Sequence, residues 1–292
     1  MRNEGDAWSW ILDHLNRALH MIAPATSADI PESDLLSDCE AIVAAIGKRL
    51  GELHAILSHE TSDPAFAPEV ADASDAADWA RKAVERVQTA FEAISGQQIW
   101  ERDQDRDRAQ TLLSQRDSIL EAVRNLADFG AGTLMTRIHG DFHLGQVLVK
   151  DGDAFIIDFE GEPSASIAER RTKASPLRDV AGLLRSIDYA GATFIEREGV
   201  GAVPVDAAQR DHLLAQFSAR AATAFLRAYW QATFWQNGTA ARNLLDLFLI
   251  EKAAYEIAYE AAHRPTWIGV PVAGFARLAS RITGKETRSQ ND

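Results

Sequence analysis

Residues 139–160 read HGDFHLGQVLVKDGDAFIIDFE, and this stretch differs from the helical pattern on either side of it. Two short runs within it, Val147–Val149 and Phe155–Ile157, are rich in the β-branched and aromatic residues that favour strands. They are separated by Lys150–Asp153, and the Asp-Gly pair in that connection is typical of a tight turn. The sequence therefore predicts one β-hairpin in the middle of the chain.

Helical periodicity flanks this hairpin on both sides. Apolar residues recur at three- and four-residue steps in the first 130 residues, which predicts amphipathic helices. Asp75 is expected to cap one helix, and Ser175-Pro176 is a start signal for another. The predicted fold class is mainly α with a small β-hairpin. The predicted helices span about 8–22, 35–57, 75–94, 101–126, 206–236 and 240–263.

Composition excludes several classes of protein. The 292 residues include 30 basic and 43 acidic side chains, a formal net charge of −13, so nucleic acid is not expected as a partner. No apolar run is long enough to span a membrane, and Met1–Trp10 lacks the pattern of a signal peptide. We therefore expect a cytoplasmic protein with no membrane partner. The single cysteine, Cys39, excludes an internal disulfide and is expected to be a buried apolar side chain.

Polar side chains cluster at the two ends of the predicted hairpin. Asp141 and Gln146 precede the first strand, and Asp158 follows the second. A hairpin brings its ends together, so these side chains are expected to converge on rigid elements. One aspartate that orients a hydroxyl, with an amide oxygen and a second carboxylate that hold Mg²⁺, is the set required by metal-assisted phosphoryl transfer.

Longer strings in the chain resemble a known family. HGDFHLGQ at 139–146 and IDFEGEP at 157–163 are similar to the catalytic loop and metal-binding segment of maltokinases, including those fused behind a trehalose synthase domain. These kinases lie in the aminoglycoside-phosphotransferase branch of the protein-kinase-like fold. Further agreement is found in PLRDVAGLLRS at 176–186 and in EKAAYEIAYE at 251–260, which runs on to Arg264–Trp267. The resemblance covers essentially the whole chain.

The resemblance implies an ATP- and Mg²⁺-dependent enzyme that phosphorylates maltose to maltose 1-phosphate in α-glucan and trehalose metabolism. Asp141 is then the catalytic base, and Gln146 and Asp158 are the metal ligands. Glu160 is a further candidate for the metal or the acceptor. His139 and His143 are expected to have structural roles in the loop. An iron site built on His143 and Asp141 is disfavoured, because its chemistry needs a β-barrel that a helical chain does not form.

A second candidate surface lies near the end of the chain. Lys252, Tyr255, Glu256 and Tyr259 share one helical face by their spacing, and the resemblance favours this face as the sugar-binding surface. Without the resemblance it would be a solvated helix face. Arg178 and Asp179 either join the sugar site or steady the catalytic loop, and the sequence supports these two interpretations equally.

The resemblance also predicts the organisation of the chain. Residues 1–292 are expected to form a kinase C-terminal lobe, with a helical part at 1–130, the catalytic loop and metal-binding hairpin at 131–163, and a helical acceptor-binding part at 164–292. No strand pattern precedes Leu134, so we expect this chain to lack the β-rich N-terminal lobe, with its phosphate-binding lysine, that the resemblance implies. We therefore expect the isolated chain to be inactive and to need an N-terminal lobe or trehalose synthase domain as a partner. The alternatives are a non-catalytic sugar-binding lobe and another small-molecule phosphotransferase of the same fold.

Overall fold

The computed structural model describes residues 3–22, 35–163, 165–197, 207–235 and 238–284, without the side chains of 194–197. The helices are α1 (Ala7–Ile22), α2 (Ser37–Leu57), α3 (Ala73–Gly96), α4 (Asp103–Ser114), α5 (Arg116–Ala127), α6 (Ile167–Arg170), α7 (Leu177–Arg197), α8 (Ala207–Ala232), α9 (Thr239–His263) and α10 (Gly269–Ile282). The strands are β1 (Glu69–Val70), β2 (Leu134–Met135), β3 (Val147–Lys150) and β4 (Asp153–Ile156). Single turns of 3-10 helix occur at Leu144–Gln146 and Pro265–Trp267.

The prediction of a mainly helical chain with a central β-hairpin is confirmed. Strands β3 and β4 pair antiparallel, with Val147 opposite Ile156 and Lys150 opposite Asp153. Cys39 is buried, and burial raises the pKa of its thiol to about 12. Within the described ranges, no helix has both the length and the apolar character needed to cross a membrane.

The chain divides into two compact units, Met1–Pro68 with Thr136–Gln236 and Glu69–Met135 with Asn237–Asp292. The first unit contains α1, α2, the β3–β4 hairpin, α7 and α8. The second contains α3, α4, α5, α9 and α10, whose core includes the edge-to-face ring pairs Trp79–Phe248 and Phe91–Phe275. The helices of the first 130 residues are divided between these two units.

In the first unit, α2 and α8 pack with almost no space between their backbones. A Cβ atom at Gly47 would overlap the backbone carbonyl of Phe225, so only glycine fits there. A Cβ atom at Gly51 would lie 2.7 Å from the Cβ of Ala232 and 2.8 Å from the carbonyl oxygen of Tyr229. The two glycines, one helical turn apart, therefore set the distance between these helices.

We expect Gly51→Ala to destabilise the protein by about 1–3 kcal/mol, because the added methyl group forces two backbones apart. Gly96 is a matched control, since a Cβ atom there would meet nothing within 4 Å. Gly96→Ala should be neutral or slightly stabilising. Urea unfolding of both variants measures the difference, and equal stabilities would contradict the close contact of α2 and α8.

The first described residues extend the hairpin. The Glu4 backbone N–H donates to the Val149 carbonyl at 2.9 Å, and the Val149 N–H donates to the Gly5 carbonyl at 3.0 Å. The Glu4 side chain accepts from the backbone N–H of Asp151 at 2.8 Å and from the Trp10 indole at 3.3 Å. This segment therefore pairs with β3 on the side opposite β4 and supports the turn of the hairpin.

Several boundaries differ from the sequence predictions. Helix α3 is capped by Asp72, and Asp75 is the third helical residue, whose carboxylate accepts from the Asp72 backbone N–H to complete a capping box. The segment predicted as one helix at 101–126 is two helices separated at Gln115. The pairing of β1 with β2 was also missed, because two-residue strands are too short to show an alternating pattern.

Candidate active site

The β3–β4 hairpin brings the two predicted metal ligands together. The backbone N–H of Ile157 donates to the Gln146 carbonyl at 3.0 Å and extends the hairpin ladder by one step. The side chains then meet, with the Nε2 atom of Gln146 donating to the Oδ2 atom of Asp158 at 3.2 Å. Residues that lie 12 positions apart in sequence therefore converge through one short hairpin.

Asp141 lies on the loop that enters this hairpin. Its side chain is 22% exposed, and its Oδ2 atom is 4.0 Å from the Nε2 atom of His143. Phe142, the next residue, is buried, and the backbone N–H of Leu144 donates to the hydroxyl of Ser186 on α7 at 3.1 Å. The carboxylate of Asp141 is thus partly open to solvent while the backbone on its C-terminal side is anchored to the core.

His139 joins the loop that carries Asp141 to the segment that follows the hairpin. Its ring is buried between the rings of Phe142 and Phe159, with centroid distances of 5.3 and 5.2 Å. Its Nδ1 atom accepts from the Asp141 backbone N–H at 3.3 Å, so the proton lies on Nε2, which donates to the Ile157 carbonyl at 2.8 Å. The ring therefore connects the backbone of the two segments.

His143 has a local contact in the same loop. Its Nδ1 atom accepts from the Gly145 backbone N–H at 3.1 Å and caps the short 3-10 helix.

Asp179, in the first turn of α7, holds the backbone of the loop. Its carboxylate is buried and accepts from the backbone N–H groups of His139 at 2.7 Å and Gly140 at 2.9 Å. Gly140 has φ +84°, a conformation that favours glycine. Of the two readings left open by the sequence, this geometry favours Asp179 as a residue that steadies the loop. Arg178, its neighbour, is half-buried at the start of the same helix.

Two buried residues behind Asp179, His54 and Tyr229, were not predicted from the sequence. The Nε2 atom of His54 lies 3.1 Å from the Oδ2 atom of Asp179, and its Nδ1 atom lies 3.0 Å from the Tyr229 hydroxyl. Both His54 and Tyr229 are 0% exposed. A signal was present, because His54 follows Leu50 by four residues on the apolar stripe of α2.

The donor chemistry of Asp158 and Gln146 fits a magnesium ion. Carboxylate and amide oxygens are the ligands that Mg²⁺ uses, and the two groups are close enough to share one ion. Asp158 has φ +62°, an uncommon conformation for a non-glycine residue that is found at functional sites. Among the described residues, no three His, Cys, Asp or Glu side chains form a metal cluster, so the rest of the coordination shell would come from water and phosphate oxygens. The exposed side chain of Glu160 lies two residues beyond Asp158.

The predicted sugar-binding face lies on α9 in the second unit. Tyr255 has the Lys252 ammonium 5.2 Å from its ring centroid and the Arg86 guanidinium carbon 4.8 Å from it. The ring of Tyr259 is 43% exposed and stacks on His263 with centroids 4.3 Å apart. The face is therefore an aromatic row with cations placed along it, and Glu256 is half-buried within it. The contacts of Tyr255 leave Tyr259 as the more open ring.

An ion pair on the hairpin allows a test of its link to α2. The Nη2 atom of Arg49 lies 2.5 Å from the Oδ2 atom of Asp153, and this hydrogen bond lowers the pKa of Asp153 below its ordinary value of 3.8. A lowered folded-state pKa contributes stability that is fully present above pH 3.8 and is lost as the pH falls through the lower value. Because both side chains are more than one-third exposed, we expect a contribution of less than about 1 kcal/mol.

Asp153→Asn should therefore lower the melting temperature slightly at pH 7 and have a smaller effect near pH 3. Thermal unfolding of both proteins across this range measures the difference. A difference that grows on acidification would contradict the assigned direction.

Comparison with known proteins decides the family. The profile of the phosphotransferase enzyme family matches residues 20–202 of the chain. The chain belongs to the phosphotransferase enzyme family. The predicted protein-kinase-like fold is confirmed, and the finer assignment to maltokinases is not shown.

Named relatives of this phosphotransferase chain include two glucosamine kinases. That of Mycolicibacterium smegmatis (strain ATCC 700084 / mc(2)155) is 30% identical over 281 residues, which are 95% of this chain and 61% of the relative. That of Streptacidiphilus jiangxiensis is 27% identical over 277 residues, which are 91% of this chain and 53% of the relative. The chain therefore spans between half and two-thirds of the length of these relatives.

Solved structures of the same kind share the fold. A glucosamine kinase in complex with glucosamine, ADP and inorganic phosphate superposes with a TM-score of 0.71 at 24% identity, covering 94% of this chain and 57% of that one. A second crystal form of glucosamine kinase gives a TM-score of 0.70. At this level of identity the likeness establishes the architecture of the phosphotransferase fold and leaves the acceptor to be argued separately.

Proposed function

We propose that this chain carries the catalytic loop of an ATP-dependent sugar phosphotransferase, with Asp141 as the base for the acceptor hydroxyl. The observation that carries the proposal is that Gln146 and Asp158 meet at the end of the hairpin, while Asp141 lies on the loop that enters it. Asp179 holds the backbone of that loop by two hydrogen bonds. Family membership supports the same class of reaction. The retention of all three side chains counts against a sugar-binding lobe that has lost phosphoryl transfer.

The residues divide the chemistry between them. Asp141 orients the acceptor hydroxyl and takes its proton as the oxygen attacks the γ-phosphorus of ATP, while the bond from that phosphorus to the β,γ-bridging oxygen breaks and ADP leaves. Gln146 and Asp158 would hold Mg²⁺, which would supply positive charge to the phosphates. His139 fixes the spacing of the two segments because its ring binds the backbone of both. Most of the rate enhancement then comes from positioning.

The acceptor proposed here is an aminohexose such as glucosamine, in place of the maltose predicted from the sequence. Both named relatives are glucosamine kinases, and they give no support to maltose. An aminohexose carries an ammonium group near neutral pH, and the ring face of Tyr259 is a surface on which a cation and sugar C–H groups both bind. The carboxylate of Glu256 lies on the same helix face.

Calorimetry on the 292-residue chain tests the acceptor without any need for catalysis. We expect weak binding of glucosamine in preference to maltose, and a loss of roughly tenfold in affinity for Tyr259→Ala, because the exposed ring is removed. Phe129→Ala is a matched control in the same unit, since Phe129 is also an aromatic residue with 40% exposure. It should leave the affinity unchanged.

Two results would overturn the acceptor proposal. Tighter binding of maltose than of glucosamine would favour maltose, the disaccharide predicted from the sequence, as the acceptor. Loss of glucosamine affinity in Phe129→Ala, and not in Tyr259→Ala, would place the sugar in the open cavity of about 360 Å³ that Phe129 lines together with Asn125 and Asn243.

A further inference from the structure

The backbone at His139 and Gly140 is the direct support of Asp141, and a buried network stands behind it. The Asp179 carboxylate accepts from both backbone N–H groups and lies 3.1 Å from the His54 ring. Three donors on one buried carboxylate, with no solvent access, indicate that its position depends on all of them.

Donor and acceptor chemistry fixes the direction of the bond to Asp179. A carboxylate only accepts, so the Nε2 atom of His54 must carry the proton that it donates to Asp179. The Nδ1 atom of His54 lies 3.0 Å from the Tyr229 hydroxyl. The Tyr229 oxygen is itself hydrogen-bonded to the side chain of Trp235, which is a donor only. The contacts therefore run from Trp235 through Tyr229 and His54 to Asp179.

The packing of α2 on α8 makes the contact between His54 and Tyr229 possible. Gly51 lies three residues before His54 and is in close contact with the carbonyl of Tyr229, so the two helices approach without an intervening side chain. Burial and the charge of Asp179 raise the pKa of the Tyr229 hydroxyl well above its ordinary value, which keeps the hydroxyl protonated as a donor. The network thus connects the core of the first unit to the catalytic loop.

We propose that His54 and Tyr229 are positioning residues that fix the catalytic loop through Asp179. Neither side chain is accessible to a substrate, because both are fully buried. This inference rests on the proposed function only in assigning catalysis to the loop. The conformation of the loop can be measured without any assay of catalysis.

Backbone amide exchange at His139 and Gly140 in the 292-residue chain is the direct readout. We expect His54→Leu to accelerate exchange at these two amides by about tenfold, because Asp179 loses one of its donors. Tyr229→Phe should give a smaller acceleration at the same amides, and it keeps the test decisive if His54→Leu does not fold. His54→Gln should restore much of the protection, since its amide supplies both a donor and an acceptor.

A merely structural role predicts a different pattern. Val43→Ala removes buried apolar volume from the same helix without touching the network, and it serves as the control for general loss of stability. If it accelerates exchange at His139 and Gly140 as much as a His54 or Tyr229 variant with the same melting temperature, the proposal is overturned. Because this readout needs no phosphoryl transfer, absence of kinase activity in a hybrid of this chain with a glucosamine kinase relative would count against the proposed function alone.

Discussion

Replacement of Asp141 by Asn is expected to lower kcat by about 10²–10⁴-fold while changing the KM for the sugar by less than about threefold. The test protein is a hybrid in which this chain replaces the matched region of the Mycolicibacterium smegmatis glucosamine kinase. Asn has nearly the shape of Asp and keeps a hydrogen-bond acceptor for the acceptor hydroxyl. It lacks the charge that takes the proton, so the loss falls on the chemical step.

Two matched observations make this result specific to Asp141. Asp151→Asn changes an exposed carboxylate in the hairpin turn and should leave kcat unchanged. The melting temperature of Asp141→Asn should match that of the parent hybrid, because the side chain is partly open to solvent. If kcat is unchanged and KM rises instead, Asp141 binds the sugar and is not the base.

Gly182→Ala is expected to reduce kcat at least about 10-fold, although the residue lies in a helix and touches no substrate. A Cβ atom at position 182 would lie 2.5 Å from the carbonyl oxygen of Phe142, the residue after Asp141. The Phe142 carbonyl is part of the backbone and cannot rotate away as a flexible side chain does. The loop that carries Asp141 must therefore shift. We also expect a loss of about 1–3 kcal/mol in stability from the same overlap.

Gly191 in the same helix is the control for this prediction. A Cβ atom there would lie 3.1 Å from the hydroxyl oxygen of Ser218, which is able to rotate away. Gly191→Ala should therefore change kcat little. Equal kinetics for the two variants would show that contact of α7 with the loop does not control the position of Asp141.

The sequence was informative where the signal lies within a short stretch of residues. The hairpin was predicted from two apolar runs and an Asp-Gly turn, and the structure places its strands at 147–150 and 153–156. Family membership was also within reach, because the strings around Asp141 and Asp158 carry the pattern of a phosphotransferase. The roles of the individual site residues remain predictions that the variants above are designed to test.

Residues that act through tertiary contacts were beyond the sequence. His54 and Asp179 are 125 positions apart, and no local pattern connects them. The packing role of Gly47 and Gly51 was not predicted, since it depends on which helix lies opposite. The acceptor was open for a related reason, because a helix face of tyrosines, a lysine and a glutamate suits more than one sugar.

Phosphorus NMR of the hybrid with ATP, Mg²⁺ and glucosamine shows whether the γ-phosphate of ATP is transferred to the sugar. We expect a sugar phosphate resonance to appear as ATP is converted to ADP, at a rate that falls by about 10²–10⁴-fold in Asp141→Asn. A hybrid that folds and binds ATP but forms no sugar phosphate would contradict the proposed function. A hybrid that forms it equally fast without the Asp141 carboxylate would contradict the role of Asp141 as the base.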